Sequence, residues 1–192
     1  AGMEIATNIA FYPYMESLSC IKNNVDNSTS EVTSYNIDNI ILPEVQHYAE
    51  NSFSNGSFPM VAITKGIQDH TLKFKNVLGA MKLQLKGSQT VKSIKITGKN
   101  NEKLSGAAEV TAYIDASTEP TIAMASEALT TVTLDCGEGV QLTESAVTEF
   151  IIALPPVVFT KGFTVTVTDA DAKVQTIETD KQNTVFRSSI LV

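Results

Sequence analysis

The sequence predicts an all-β fold built of antiparallel β-sandwich domains, and three observations carry that expectation. Apolar residues recur with a period of two, the alternating segments are rich in Val, Ile and Thr, and Gly, Asn and Asp punctuate them at short intervals. The stretch FKNVLGAMKLQLKG (74–87) is the one place where a helical period competes. Val77, Leu78, Met81 and Leu85 would lie on one helical face, but Gly79 would weaken that helix. Read as a strand, Val77, Gly79, Met81, Leu83 and Leu85 point one way, and Leu78, Ala80, Lys82, Gln84 and Lys86 the other. The neighbouring segments decide for the strand.

Taken in order, IATNIAFYPY (5–14) reads as a strand stopped at Pro13. SCIKNNVDNSTSEVTS (19–34) is polar and rich in Asn and Ser, and is expected as a loop. NIDNIILP (36–43) is a strand ended by Pro43, YAENSFSNGSFP (48–59) a loop, and MVAI (60–63) a short strand. These three strands are too few to bury a core alone. They either lean on the second half or complete a sandwich whose opening strands lie upstream. A boundary is placed near 66–71, giving an N-terminal β domain over 1–68 and a C-terminal sandwich over 69–192.

The second half alternates more clearly. VKSIKITG (91–98) sets Ile94 and Ile96 against Lys95 and Thr97, and AEVTAYID (108–115) sets Val110, Ala112 and Ile114 against Glu109, Thr111 and Tyr113. TTVTLDC (130–136) and FTVTVTD (163–169) repeat the pattern with Val132, Leu134, Cys136 and with Phe163, Val165, Val167. Gly87, GKNN (98–101), Gly106, Gly137 with Gly139, and DADA (169–172) are read as turns. TESAVTEF (143–150) is either a helical turn capped by Thr143, with Ala146, Val147 and Phe150 on the sheet, or the loop into FIIALPPVVF. Pro155 and Pro156 mark a strand end or an edge, and SSILV (188–192) a last short apolar strand.

Charge excludes some functions. The chain carries −7, of which −6 lies in the first seventy residues, where Lys22 and Lys65 face eight acids. An acidic chain with a single arginine offers nothing to nucleic acid or to anionic lipid. No apolar run is long enough for a spanning helix. The two cysteines, Cys20 and Cys136, make no disulfide framework and are expected as separate buried thiols.

Reaction chemistry finds no foothold. His47 and His70 stand outside any ligand spacing, and no nucleophile elbow, phosphate loop or dinucleotide fingerprint occurs. Asp169 and Asp171 start like a calcium loop, but no Gly occupies the sixth position, so a hairpin turn is expected there. No pattern singles out a carboxylate pair for sugar hydrolysis. The sequence therefore calls for no enzyme, cofactor or metal. Two Asn-x-Ser/Thr triplets, at 27–29 and 55–57, fall in expected loops. Tyr12, Tyr14, Tyr35 and Tyr48 are the aromatic residues that a glycan- or protein-binding patch would use.

Several strings then occur in a suggestive order: FYPY (11–14), ILPEVQHY (41–48), FPMVA (58–62), LKFKNVLGAMKLQLKG (72–87), VKSIKITGKNNEKLSGAAEV (91–110) and ALPPVVFTKGFTVTVTD (153–169). The chain resembles the fimbrillin superfamily, the type V pilins and fimbrillin-like surface lipoproteins of Bacteroidales-type bacteria. The resemblance implies two transthyretin-like sandwiches and a lipoprotein precursor exported to the outer membrane. It also implies a structural or adhesive role in a fimbria at the cell surface. In such pilins a strand is removed by a protease, and the vacated groove takes a strand from the next subunit. Partners would be other fimbrial subunits or host and bacterial surface ligands. Ser188, Ser189, Ile190, Leu191 and Val192 are the candidate donor strand, with Ile190 and Val192 on one face. The chain departs from the family in showing no leader, no lipid-bearing cysteine near its start and no arginine before Arg187. The alternative reading is a surface lipoprotein module that binds glycan or host protein.

Overall fold

A computed structural model describes residues 7–25 and 32–192. All regular structure in it is β, and four sheets and a small ribbon enclose two apolar cores. Sheet I has the order β1(Ile9–Tyr12), β5(Met60–Ile63), β6(Lys75–Asn76). Sheet II has the order β10(Thr121–Met124), β9(Gly106–Tyr113), β3(Val32–Leu42), β2(Ser19–Val25). Between them lie Ile37, Ile40, Leu42, Val61, Val77, Leu78 and Val110.

Sheet III has the order β15(Val174–Thr179), β14(Phe163–Asp169), β8(Thr90–Gly98), β11(Thr131–Gln141), β4(Val45–His47). Sheet IV has the order β12(Thr148–Leu154), β7(Gly79–Leu85), β17(Ile190–Leu191), and β13(Val157–Phe159) pairs with β16(Asn183–Val185) beside it. Their core is larger and holds Phe150 and Phe159, both fully buried, with Ile94, Ile96, Val132 and Leu134. Pairing is antiparallel except for β4 on β11 and β17 on β7, which are short and parallel.

The two-residue period is borne out where it was sharpest. Ile94 and Ile96 are buried while Lys95 is exposed, and Val110 and Ala112 are buried between half-exposed neighbours. Residues 75–85 form one extended run with a step between sheets. Lys75 and Asn76 pair in sheet I, Val77 and Leu78 enter the first core, and Gly79–Leu85 pair in sheet IV. The strand reading of this stretch holds, and the run joins both sandwiches.

Other expectations need correction. The segment 19–34 is not wholly a loop: Ser19–Val25 is an edge strand in antiparallel register with β3. Residues 19–22 are exposed, as a solvated edge allows, and the backbone ladder to β3 holds the strand. Residues 26–31, with the whole 27–29 triplet, lie outside the described residues. Gly137 and Gly139 form no turn. They sit within β11 with φ of 56° and 106°, where the register to β8 shifts between Asp135 and Val140. A bulge needs such left-handed backbone, which glycine adopts without steric cost. Residues 143–147 are loop, with Thr143 Oγ1 accepting from the Ala146 N–H at 3.2 Å, and Val147 is exposed. The DADA segment is the expected hairpin turn: Asp169 Oδ1 accepts from the N–H groups of Asp171 and Lys173, each at 2.9 Å. The cysteines are free, but only Cys136 is buried, since Cys20 lies on the exposed edge strand.

The sheets do not divide at residue 68. Strands β9 and β10, from the second half, complete sheet II, and β4, from the first half, joins sheet III. Among the described residues the first-half strands lean on the second half.

Candidate functional site

Between the sheets of the first sandwich runs a groove of about 480 Å³. Its floor is apolar, from Val61 and Ile63 on β5 and Ala112 and Ile114 at the end of β9. Lys65, Lys73 and Lys75 stand around it on the 65–75 segment, with Asp69 between them. The groove exists because sheet I is short. Only two residues of β6 pair, so the sheet does not cover the far end of β9.

Both rims are anchored. Asn8 ties down the 64–69 segment: its N–H donates to Thr64 Oγ1 at 3.0 Å, and its Nδ2 donates to the Asp69 carbonyl at 3.1 Å. On the opposite rim Asp115 accepts from the Ser117 hydroxyl at 2.6 Å, the Ser117 N–H at 3.0 Å and the Thr118 hydroxyl at 2.9 Å. Those bonds, led by the Ser117 hydroxyl, hold the Asp115 carboxyl down at about 2. Lys75 Nζ donates to the carbonyls of Ala116 at 2.7 Å and Thr118 at 2.9 Å.

The C-terminal turn reaches the same rim. Arg187 donates to the Asn76 carbonyl at 2.9 Å and pairs with Glu119 at 2.9 Å, and Lys75 lies 3.5 Å from the same carboxylate. The candidate donor segment follows at once, and it is engaged within its own chain. The Ser188 N–H donates to the Leu78 carbonyl and the Ala80 N–H to the Ser189 carbonyl, both at 2.9 Å. Ile190 and Leu191 pair in parallel with Ala80 and Met81. Leu191 packs on the second core, while Ile190 and Val192 face solvent together, as the alternation requires. Gly79 permits this docking, because a Cβ there would stand 2.1 Å from the Phe186 carbonyl oxygen. The structure therefore places Ser188–Val192 on β7 and not in the groove.

A buried amide closes the neighbouring edge. Gln46, on β4, donates from Nε2 to the Ala153 carbonyl and accepts from the Ala153 N–H, both at 2.9 Å. It stands in for a strand at that point of β12. Nothing in the sequence marked this residue, since its partner lies 107 positions away.

The four tyrosines do not form one patch. Tyr35 is buried, and Tyr48 packs on Phe150 with ring centroids 5.3 Å apart. Tyr12 and Tyr14 are exposed near the 51–58 loop, with the Tyr12 hydroxyl 3.1 Å from Asn55 Oδ1 and Phe53 partly open beside Phe58.

A carboxylate pair lies elsewhere, on the outer face of sheet II. Glu109 shares a hydrogen bond with Asp38 and accepts from Asn36 Nδ2 at 2.9 Å, and the Asp38 contact pushes its carboxyl up. The two acids adjoin on one sheet face and do not confront each other across a cleft. Glycoside hydrolysis needs carboxyl groups about 5 Å apart or more. Among the described residues no group of three or more His, Cys, Asp or Glu side chains is placed to hold a metal ion. His47 is exposed, with Nδ1 3.6 Å from Asp135.

Comparison with models of protein families, with curated proteins and with solved structures finds no match.

Proposed function

We propose that the chain is a structural or adhesive subunit of a cell-surface fimbria and joins its neighbours by β-strand addition. In this reading its sandwiches are of the transthyretin-like kind, and a lipid anchor in the precursor delivers it to the outer membrane. The observation that supports the reading best is the apolar-floored groove of the first sandwich. It lies beside a sheet edge only two residues long, and its walls are already fixed. A strand entering there would gain main-chain hydrogen bonds along the edge and place alternate side chains on Val61, Ile63 and Ala112. The strand Ile190–Leu191 suits the donor role because it is short and half-exposed.

A synthetic peptide of residues 183–192 tests this. It should bind the chain and change its polymerisation, and Ala116→Trp on the groove rim should weaken both effects. No binding and no change in polymerisation would remove the donor assignment. The absence of any polymer under all conditions would count against the fimbrial role itself.

A second reading has one observation in its favour. Exposed Tyr12 and Tyr14, with Asn55 at hand, offer the flat apolar faces and polar groups that a glycan or host protein would contact. Binding on a glycan array that is lost with Tyr14→Ala would promote it.

A further inference from the structure

The strand edges of the molecule are unequally protected. Exposed edges are usually blunted by shortness, by lysine or proline, or by a covering group. Strands β4, β6 and β17 are at most three residues long, and β1 is ended by Pro13. Strand β2 carries Lys22 at its centre, and β12 carries Glu149 and is closed at Ala153 by Gln46. Strand β15 has none of these devices. Among the described residues its six, VQTIET, are paired only with β14, and Val174 and Ile177 are 63% and 46% exposed. Its one charge, Glu178, is already matched by Lys99 at 2.7 Å.

The register identifies which backbone groups are open. The Asp169 N–H donates to the Lys173 carbonyl at the hairpin turn, so that pair is hydrogen-bonded. Hydrogen-bonded and non-bonded pairs alternate along an antiparallel ladder. Gln175 opposite Val167 and Ile177 opposite Val165 are then bonded to β14. Val174, Thr176 and Glu178 direct their N–H and C=O groups away from it.

We infer that β15 is a self-association edge and that its partner is β15 of a second copy of this chain. Outward groups must meet outward groups, so in a two-fold antiparallel pair Thr176 stands opposite Thr176 of the other copy. Val174 then faces Glu178, and Gln175 faces Ile177. No like charges are opposed, the exposed Ile177 is covered, and sheet III runs on through both copies. The contact is isologous, so it closes at two copies and does not propagate. A strand of six residues spans only about 20 Å. Stable interfaces bury about 800 Å² per partner, so the dimer is weak and concentration-dependent. The inference is independent of strand addition at the groove.

The test uses the full chain carrying Cys20→Ser. Its sedimentation coefficient should rise with concentration, and Thr176→Pro should abolish that rise. Because the Thr176 N–H points away from β14, the proline leaves the hairpin intact, which a circular-dichroism spectrum checks. Under mild oxidation Thr176→Cys should give a disulfide-linked dimer, while Gln175→Cys, displaced from its own copy in this register, should not. Monomeric sedimentation at every concentration would overturn the inference. Equal cross-linking at the two positions would do the same.

Discussion

The two sandwiches bury their apolar residues on different terms. The second packs Phe150 and Phe159 with a full set of branched aliphatics. The first relies on aliphatic residues and the small Ala112 and Ala153, and its aromatic neighbours Phe11 and Phe58 are only partly buried. One is filled, and the other keeps a groove. The first sandwich also takes β9 and β10 from the second half of the sequence, so the poorer core is completed by distant segments. A region that keeps an open groove gives up burial there, and the difference leaves the first sandwich the less filled of the two.

The largest way to test that contrast is to empty each core in turn. Phe150→Ala removes a fully buried ring and should cost about 3–5 kcal/mol in chemical denaturation. Ile40→Ala in the first core should cost about 2 kcal/mol, the low end for such a change, because the smaller first core has no buried aromatic ring and collapses more readily around the gap. Equal costs would mean that the first core is as tightly packed as the second.

The amide seal between sheets III and IV comes next. Gln46→Leu keeps the bulk but strands the N–H and C=O of Ala153, and should cost about 1–3 kcal/mol. Amide exchange at Ala153 should accelerate with it, and unchanged exchange would assign the edge another protector.

The smallest effect separates the two thiols. Burial, with a lesser contribution from Asp135, pushes Cys136 up to about 11, against an ordinary value near 9.0. The folded value is the higher one. The stability gained by burying the neutral thiol is therefore present below about pH 9 and is lost as pH rises through about 11. Iodoacetamide at about pH 8 should label exposed Cys20 in the native protein and Cys136 only after unfolding. Labelling of Cys136 at the same rate as Cys20 would show that the second core opens as readily as the first sandwich's edge.

What was legible in the sequence was burial by period. Ile94, Ile96, Val110, Val132 and Val165 face inward where alternation put them, because a strand with one wet face has no other way to hide them. Period says nothing about partnership. Strand β9 alternates like its neighbours, yet it pairs with β3 and not with β8, and only the tertiary register reveals that. Strand β2 is illegible because its polar, Asn-rich sequence carries no apolar period, while its backbone ladder leaves no trace in composition. The anchoring of the groove's rims by Asn8 and Lys75 depends on contacts 61 and 41 positions apart, while the Asp115 turn is local.

The extended run from Lys75 to Leu85 belongs to both halves of the molecule. Melting either half pulls on a strand that the other still holds, so heat should be absorbed in one calorimetric peak with no plateau between. A tensile load along that run would likewise be shared by both cores, as by a rafter let into two walls.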